Sequence, residues 1–444
     1  MKRAHKTIRL VALLLLAVCG FAACNEEPGL PAETGVAPRF PIAMVAQPAP
    51  YGRFVYVAGA NFDRKYRAGV LRVIDTATDR WLQNADGTPL GLEIPGYAGG
   101  MALQPRPLPA AGTATSLAEA ASSVARIFTT ARDDDSVTII DIGGSSTPTL
   151  DCGIRTSLGV CNENHRIGDM GIDAVGADPI AVSVASAPNG HVRLHTIATT
   201  DGRLAVFDLN PALGLGQAVT WTALDAASLN AGLADIVTSP LTGRTYVSDS
   251  RSNQIRAYTM QPSGIADKPW KIVQDPAIVL PAGASRDYGR GMALSSDASK
   301  LYLAYRSPTA LLVVDIAPGP TGVPHHVVED IIPLGEKPGQ IVVTPTGPQG
   351  RDWLYISCFG EESVWVIDPQ TRQTVKVIKM QLQFHDTLWL GEPYGMTAAF
   401  VPKKGWTLYV GLFAMATGQE NKVVVVPLFG PQRHVPTHLV EPQP

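Results

Sequence analysis

The chain has 444 residues, 36 basic and 39 acidic, with a formal net charge of −3. With no basic excess it lacks the positive face that a sequence-independent nucleic-acid binder needs. Its 42 glycines and 36 prolines point to a turn-rich chain rather than a helical one, and its length alone allows two or three domains.

In chain order, Lys2, Arg3, Lys6 and Arg9 form a basic start, and Val11 to Val18 is an apolar run too short to span a bilayer. Small residues follow, ending at Ala22-Ala23-Cys24. This is the order of a secretory signal peptide, and the terminal cysteine resembles the lipobox of bacterial lipoproteins. There the thiol is lipidated and becomes the new N-terminus. Leu16-Ala17-Val18-Cys19 is a second reading, with the bulkier Val18 at the cleavage position. Asn25 in place of an aspartate leans towards the outer membrane, on its periplasmic or surface face. Residues 1–23 thus read as signal peptide, 24–39 as a lipidated N-terminus with a Pro-rich tether, and 40–444 as one folded domain. Export removes four positive charges and no negative one, so the net charge moves from −3 to −7.

A strand pair then recurs at intervals of roughly fifty to eighty residues, a spacing typical of propellers and solenoids. The pairs are Phe54–Val57 with Val70–Asp75, Ile127–Thr129 with Val137–Asp141, and Thr196–Ala198 with Leu204–Asp208. Thr245–Val247 with Ile255–Tyr258 and Leu301–Leu303 with Leu311–Asp315 follow. Leu354–Ile356 with Val364–Asp368 and Leu408–Val410 with Val423–Val426 complete seven. Most pairs are preceded by a short Gly-led strand, such as Gly291–Leu294 or Gly395–Ala398, and followed by a weaker fourth strand. Four short strands repeated seven times predict an all-β fold, a single seven-bladed β-propeller. A lone blade cannot cover both apolar faces, whereas radial packing covers both and leaves only short edges. An open all-β array or a pair of sandwiches is the alternative. His434 to Val440, or the segment near Phe40, is expected to close the ring.

Tyr-Val, a polar turn and Val-x-Val-Ile-Asp resemble the YVTN-type propeller repeat. Tyr56-Val57 with Val73-Ile74-Asp75 carries this resemblance, as does Tyr355-Ile356 with Val366-Ile367-Asp368. It covers nearly all of residues 40–430 and implies the propeller fold rather than one activity. Blades three and four depart from it, lacking the Tyr-Val and the final Asp respectively. The recurrent Asp is read as a turn-fixing residue.

Cys152 and Cys161 share a Gly-rich insertion expected to project to the rim of the propeller. In an oxidising compartment this close pair reads as a disulfide; no further Cys or close His pair completes a metal set. Cys358 lies in an apolar strand and reads as an inert buried thiol. His325, His326 and Glu329 flank an outer strand where side chains alternate faces, so no metal is expected there. Asp133-Asp134-Asp135 reads as a solvated turn. No motif calls for a cofactor, and the common hydrolase, P-loop and haem signatures are absent.

Propeller topology puts the loops between second and third strands on one rim with the loops between blades. Arg132, Arg251 and Arg306 fall on the former, and Arg286, Asp287, Tyr288, Arg290, His385, Asp386, Glu392 and Tyr394 on the latter. Arginine grips oxyanions through two parallel N–H groups, so Arg132, Arg251, Arg286, Tyr288, Arg290, Arg306, His385, Asp386 and Tyr394 are the candidate ligand-binding rim. The expected function is a cell-envelope binding or scaffolding module. Its membrane partner is reached through the lipid anchor, and the rim holds an envelope protein, a glycan or a small anion. The alternative is a lactonase-like hydrolase working in the central funnel, with His385 as base; a purely structural envelope role is the third reading. Clustered acidic and histidine side chains at the mouth would mark the enzyme, and an aromatic, uncharged rim would mark protein binding.

Overall fold

The structure is a computed structural model. It describes residues 37–442 apart from 49–51, 64–65, 67, 106–123, 145–146, 154–160, 162–164, 169–173, 187–190, 210–219, 230–231, 282–286, 385–386, 414–421 and 431–432. Cys24, Arg286, His385 and Asp386 therefore lie outside the described residues.

Seven antiparallel blades follow one another along the chain. Their inner strands are Pro41–Ala46, Ala98–Pro105, Pro179–Ser186, Leu233–Thr238, Gly289–Leu294, Pro338–Thr344 and Glu392–Val401. Each packs beside the next, and the seventh beside the first, closing the ring. The second and third strands of blade 1, Phe54–Gly59 and Gly69–Asp75, are buried throughout, and those of the other blades are buried along most of their length, except that Gln254–Ile265 of blade 4 runs out to the surface. This explains why they read as continuous apolar runs: neighbouring blades cover both of their faces. The core is accordingly seven clusters, one at each blade interface, including Met44, Val55, Val57 and Trp81 of blade 1 against Val401, Tyr409 and Val425 of blade 7. Outer strands face water, alternating in Val327–Pro333 and exposed over most of Gln373–Lys379.

The Gly-led openings have a steric cause. The inner strands crowd at the axis, where a Cβ on Gly291 would lie 2.3 Å from the Gly339 carbonyl oxygen and one on Gly395 would lie 2.6 Å from that of Ile42. Every inner strand also breaks register near its start, between Pro41 and Ala43, Ala98 and Met101, Pro179 and Ala181, Leu233 and Asp235, Gly289 and Met292, Pro338 and Ile341, and Pro393 and Met396. A bulge re-aims the side chain it carries, so bulge residues such as Arg290 and Tyr394 are turned at the same end of the channel.

Both closing candidates take part. Phe40 leads into the inner strand of blade 1, and His438–Leu439 forms the outer strand of blade 7. The chain then crosses to blade 1, where Glu441–Pro442 pairs in parallel with Arg80–Trp81 and Trp81 Nε1 donates to the Val440 carbonyl at 3.2 Å. Asp79, 7% exposed, accepts from Tyr409 Oη at 2.7 Å and Lys404 Nζ at 2.9 Å, with His438 Nε2 at 3.2 Å.

That seam is one version of a device repeated between blades. Tyr246 Oη lies 3.2 Å from His326 Nε2, and Tyr355 Oη lies 3.2 Å from His434 Nε2. In all three the tyrosine is on a second strand, and its partner precedes the outer strand of the next blade with positive φ: 54° for Asp79, 53° for His326 and 59° for His434. The repeat tyrosine is thus an inter-blade latch. His326 is taken up in this way, His325 Nδ1 meets Asp315 at 2.7 Å, and Glu329 meets Lys300 at 2.8 Å.

The recurrent Asp ties its turn to the backbone. Asp75, Asp315 and Asp368 accept from the amides of Ala77, Ala317 and Gln370 at 2.9–3.0 Å. Their other oxygens face a cation at the start of the preceding strand, Arg53 at 3.0 Å and Arg351 at 3.1 Å, while Lys300 lies 3.3 Å from Asp315 Oδ1.

The cysteine insertion departs from expectation. It splits the outer strand of blade 2, whose halves Thr149–Asp151 and Arg166–Ile167 both pair with Ser136–Gly143. It therefore leaves from the blade edge rather than from the rim. Cys152 and Cys161 are bonded, S–S 2.06 Å, and both are buried in the cluster between blades 1 and 2. Cys358 is buried, and that burial pushes its thiol up to about 12. Of the acidic turn, Asp134 pairs with Arg166, and Asp135 Oδ1 accepts from the Asp178 amide at 2.7 Å.

Candidate functional site

A repeated backbone bond frames the mouth. In six blades the residue at the end of the second strand donates its amide to the carbonyl of the residue just before the inner strand of the same blade. Examples are Arg132 to Tyr97 at 3.1 Å, Thr199 to Asp178 at 3.0 Å, Ser250 to Gly232 at 2.7 Å, Arg306 to Tyr288 at 3.0 Å and Phe359 to Lys337 at 3.2 Å. Ala60 does the same to Phe40 at 3.1 Å. These donor and acceptor positions, with the inner-strand bulge, carry most side chains of the mouth. Arg132 and Arg306 are donors, Phe40, Tyr97, Asp178 and Tyr288 are acceptors, and Arg290 and Tyr394 sit on the bulges of blades 5 and 7.

Two arginine centres result. Arg132 grips Asp178 through Nε at 2.5 Å and Nη2 at 3.0 Å, and this hydrogen bonding raises the guanidinium pKa. Across the mouth, Asp287 bridges Arg290 Nη2 at 2.6 Å and Arg306 Nη1 at 3.1 Å. Arg306 also donates Nε to the Pro338 carbonyl at 2.9 Å. Burial, then the nearby Arg290, lower its pKa. Tyr394 is within electrostatic reach of both Arg132 and Arg306.

Tyr394 is 41% exposed and stacks on Phe413, centroids 4.7 Å apart at 6°. Phe413 in turn meets Phe40 at 5.6 Å and Phe62 at 6.0 Å, and Phe62 meets Tyr97 at 5.3 Å. Phe359 closes on Tyr394 at 6.2 Å. The mouth therefore has an aromatic arc over blades 6, 7 and 1 and arginine–aspartate forks over blades 2 and 5. At the bulge of blade 4, Asp235 accepts from the Met292 amide at 2.6 Å, and burial pushes its carboxyl up to about 6.

Of the expected rim residues, the structure brings Arg290 and Arg306 together on Asp287, and sets Arg132 and Tyr394 at the same end of the ring. Tyr288 stacks on Tyr305 beside Arg306, centroids 5.8 Å apart. Arg251 is exposed on blade 4, its stem against Gly232 and its amide on Asp249. Arg286, His385 and Asp386 lie outside the described residues. Sequence reasoning missed the aromatic arc and Asp178. The available signal was positional, because Phe359 and Phe413 end second strands and Tyr97 and Phe40 precede inner ones. Burial of Glu392 at the same end, with Glu362 nearby, raises its carboxyl pKa. Among the described residues no group of three His, Cys, Asp or Glu side chains is placed to hold a metal ion.

No protein-family model and no curated protein matches the sequence. Solved structures share the fold. A protein of unknown function from Desulfotomaculum acetoxidans superposes with TM-score 0.50 at 11% identity, over 84% of this chain and 96% of that one. A provisionally named 6-phosphogluconolactonase of Bacteroides uniformis gives 0.47 at 16% identity, over 77% and 84%. The periplasmic gluconolactonase of Pseudomonas aeruginosa gives 0.46 at 15%, over 76% and 84%. At these identities the likeness concerns the fold alone.

Proposed function

We propose that the chain is a cell-envelope lipoprotein, anchored through Cys24, whose propeller binds a polar, ring-bearing ligand at the mouth of its channel. The observation that carries the binding reading is the open ring of Tyr394, stacked on Phe413 in an aromatic arc that no repeat requirement explains, at the end of the propeller that also carries the fork of Arg290 and Arg306 on Asp287. Aromatic faces take up rings, and paired guanidiniums take up oxyanions. Lipobox-like residues before Cys24 support the anchor.

Calorimetric titration of the full chain with acidic and neutral sugars tests the reading. At least one acidic sugar is expected to bind, with affinity lost in Tyr394→Ala. Hydrolysis of D-glucono-1,5-lactone above the spontaneous rate, with no acidic sugar bound, would replace it with the enzyme reading.

A further inference from the structure

We propose that the carboxylate of Asp287 is a resident stand-in for the ligand, and that the ligand is a uronic-acid sugar whose own carboxylate displaces it. This rests on the binding role assigned to the mouth.

One carboxylate here serves two guanidiniums, with Oδ1 on Arg290 and Oδ2 on Arg306. The cationic pair is therefore already spaced for a single planar carboxylate. Arg306 is fixed by its bond to the Pro338 carbonyl, so it stays in place when the carboxylate leaves. Arg290 Nε is buried with no hydrogen-bond partner among the described residues, an unspent donor beside the same carboxylate.

Asp287 differs from the recurrent aspartates of the blades. Its side chain is 43% exposed, against 6% for Asp75 and Asp368 and 15% for Asp315. An ion pair in reach of water is held weakly, so exchanging one carboxylate for another costs little. The incoming group must also suit Tyr394, whose open ring lies in the field of Arg306 and is braced from behind by Phe413. A pyranose bearing a carboxylate satisfies both: its C–H edges pack on the aromatic face while its carboxylate takes the arginine pair. Arg132 with Asp178, also in reach of Tyr394, offers a second such fork for the next acidic ring of an oligomer.

The test is calorimetric titration of the full chain with tri-galacturonate, with neutral galactotriose as control. Asp287→Asn keeps the side-chain shape, removes the competing charge, and is expected to bind tri-galacturonate about tenfold more tightly than the parent. Arg306→Gln is expected to abolish binding, with Arg290→Gln as the second variant should Arg306→Gln unfold. Galactotriose is expected to bind no variant. Equal or weaker binding by Asp287→Asn, with the parent still binding, would overturn the displacement and leave the mouth as a site. Absence of binding by both the parent and Asp287→Asn would overturn the uronate assignment, and a panel equally silent towards other acidic sugars would overturn the mouth reading too.

Discussion

The two ends of the propeller use the same side chains for different ends. At the strand-three turns, an Asp meets an Arg or Lys and also caps its turn, and the arrangement recurs in blades 1, 5 and 6. At the mouth, Arg132 with Asp178 and Arg290 and Arg306 with Asp287 occur once each, on a backbone frame that does recur. Recurrence marks what a blade needs in order to exist, because every blade faces the same packing problem. Side chains that vary over a constant frame are free of that demand. The mouth is therefore the place to look for function.

If recurrence means architecture, the repeated latches must carry stability. The seam is the strongest case. Asp79→Ala is expected to lower unfolding free energy by about 3 kcal/mol, since it leaves Tyr409 Oη buried without its acceptor. Urea unfolding measures this, and a loss under 0.5 kcal/mol would break the distinction. Removing the disulfide with Cys152→Ser and Cys161→Ser is expected to cost about 2–3 kcal/mol by freeing the unfolded loop. A smaller cost would place the insertion outside the packed architecture.

The latch histidine of blade 7 sharpens the comparison through pH. Burial, then Arg433 and Lys376, hold His434 down to about 4, below its usual 6.5. The unfolded chain then takes up a proton that the folded one refuses. Stability is full above about pH 6.5 and falls as pH drops towards 4, by about 2 kcal/mol, levelling off below that. His195, held at about 3 by burial, acts in the same direction. Urea midpoints between pH 7 and pH 4 measure the fall, and His434→Gln is expected to remove the share of His434 and leave that of His195.

The fold was legible because burial leaves a linear trace. Runs such as Val364–Asp368 are apolar on both faces only if both are covered, and seven of them set the blade number. The latch was half legible. Tyr355 announces itself in the repeat, but His434 lies 79 residues away in the next blade. The mouth was legible as a set of loops and not as a site. Topology placed Arg290, Arg306 and Tyr394 at one end, whereas Asp287 as the shared partner of the two arginines, and Phe413 behind Tyr394, depend on how bulges aim side chains across a ring. The route of the cysteine insertion was misplaced for a related reason: a strand split in two reads in sequence as a strand followed by a loop.

The most direct test of the contrast is urea unfolding of Asp368→Asn and Asp287→Asn side by side. Both changes remove one negative charge and keep the side-chain shape. The account predicts a loss of about 1–2 kcal/mol for Asp368→Asn, whose carboxylate holds Arg351 and two turn amides. It predicts a change under about 0.5 kcal/mol for Asp287→Asn, as for an exposed ion pair. Equal losses, or a larger loss at Asp287, would show that the mouth is held for stability and would contradict its reading as a site.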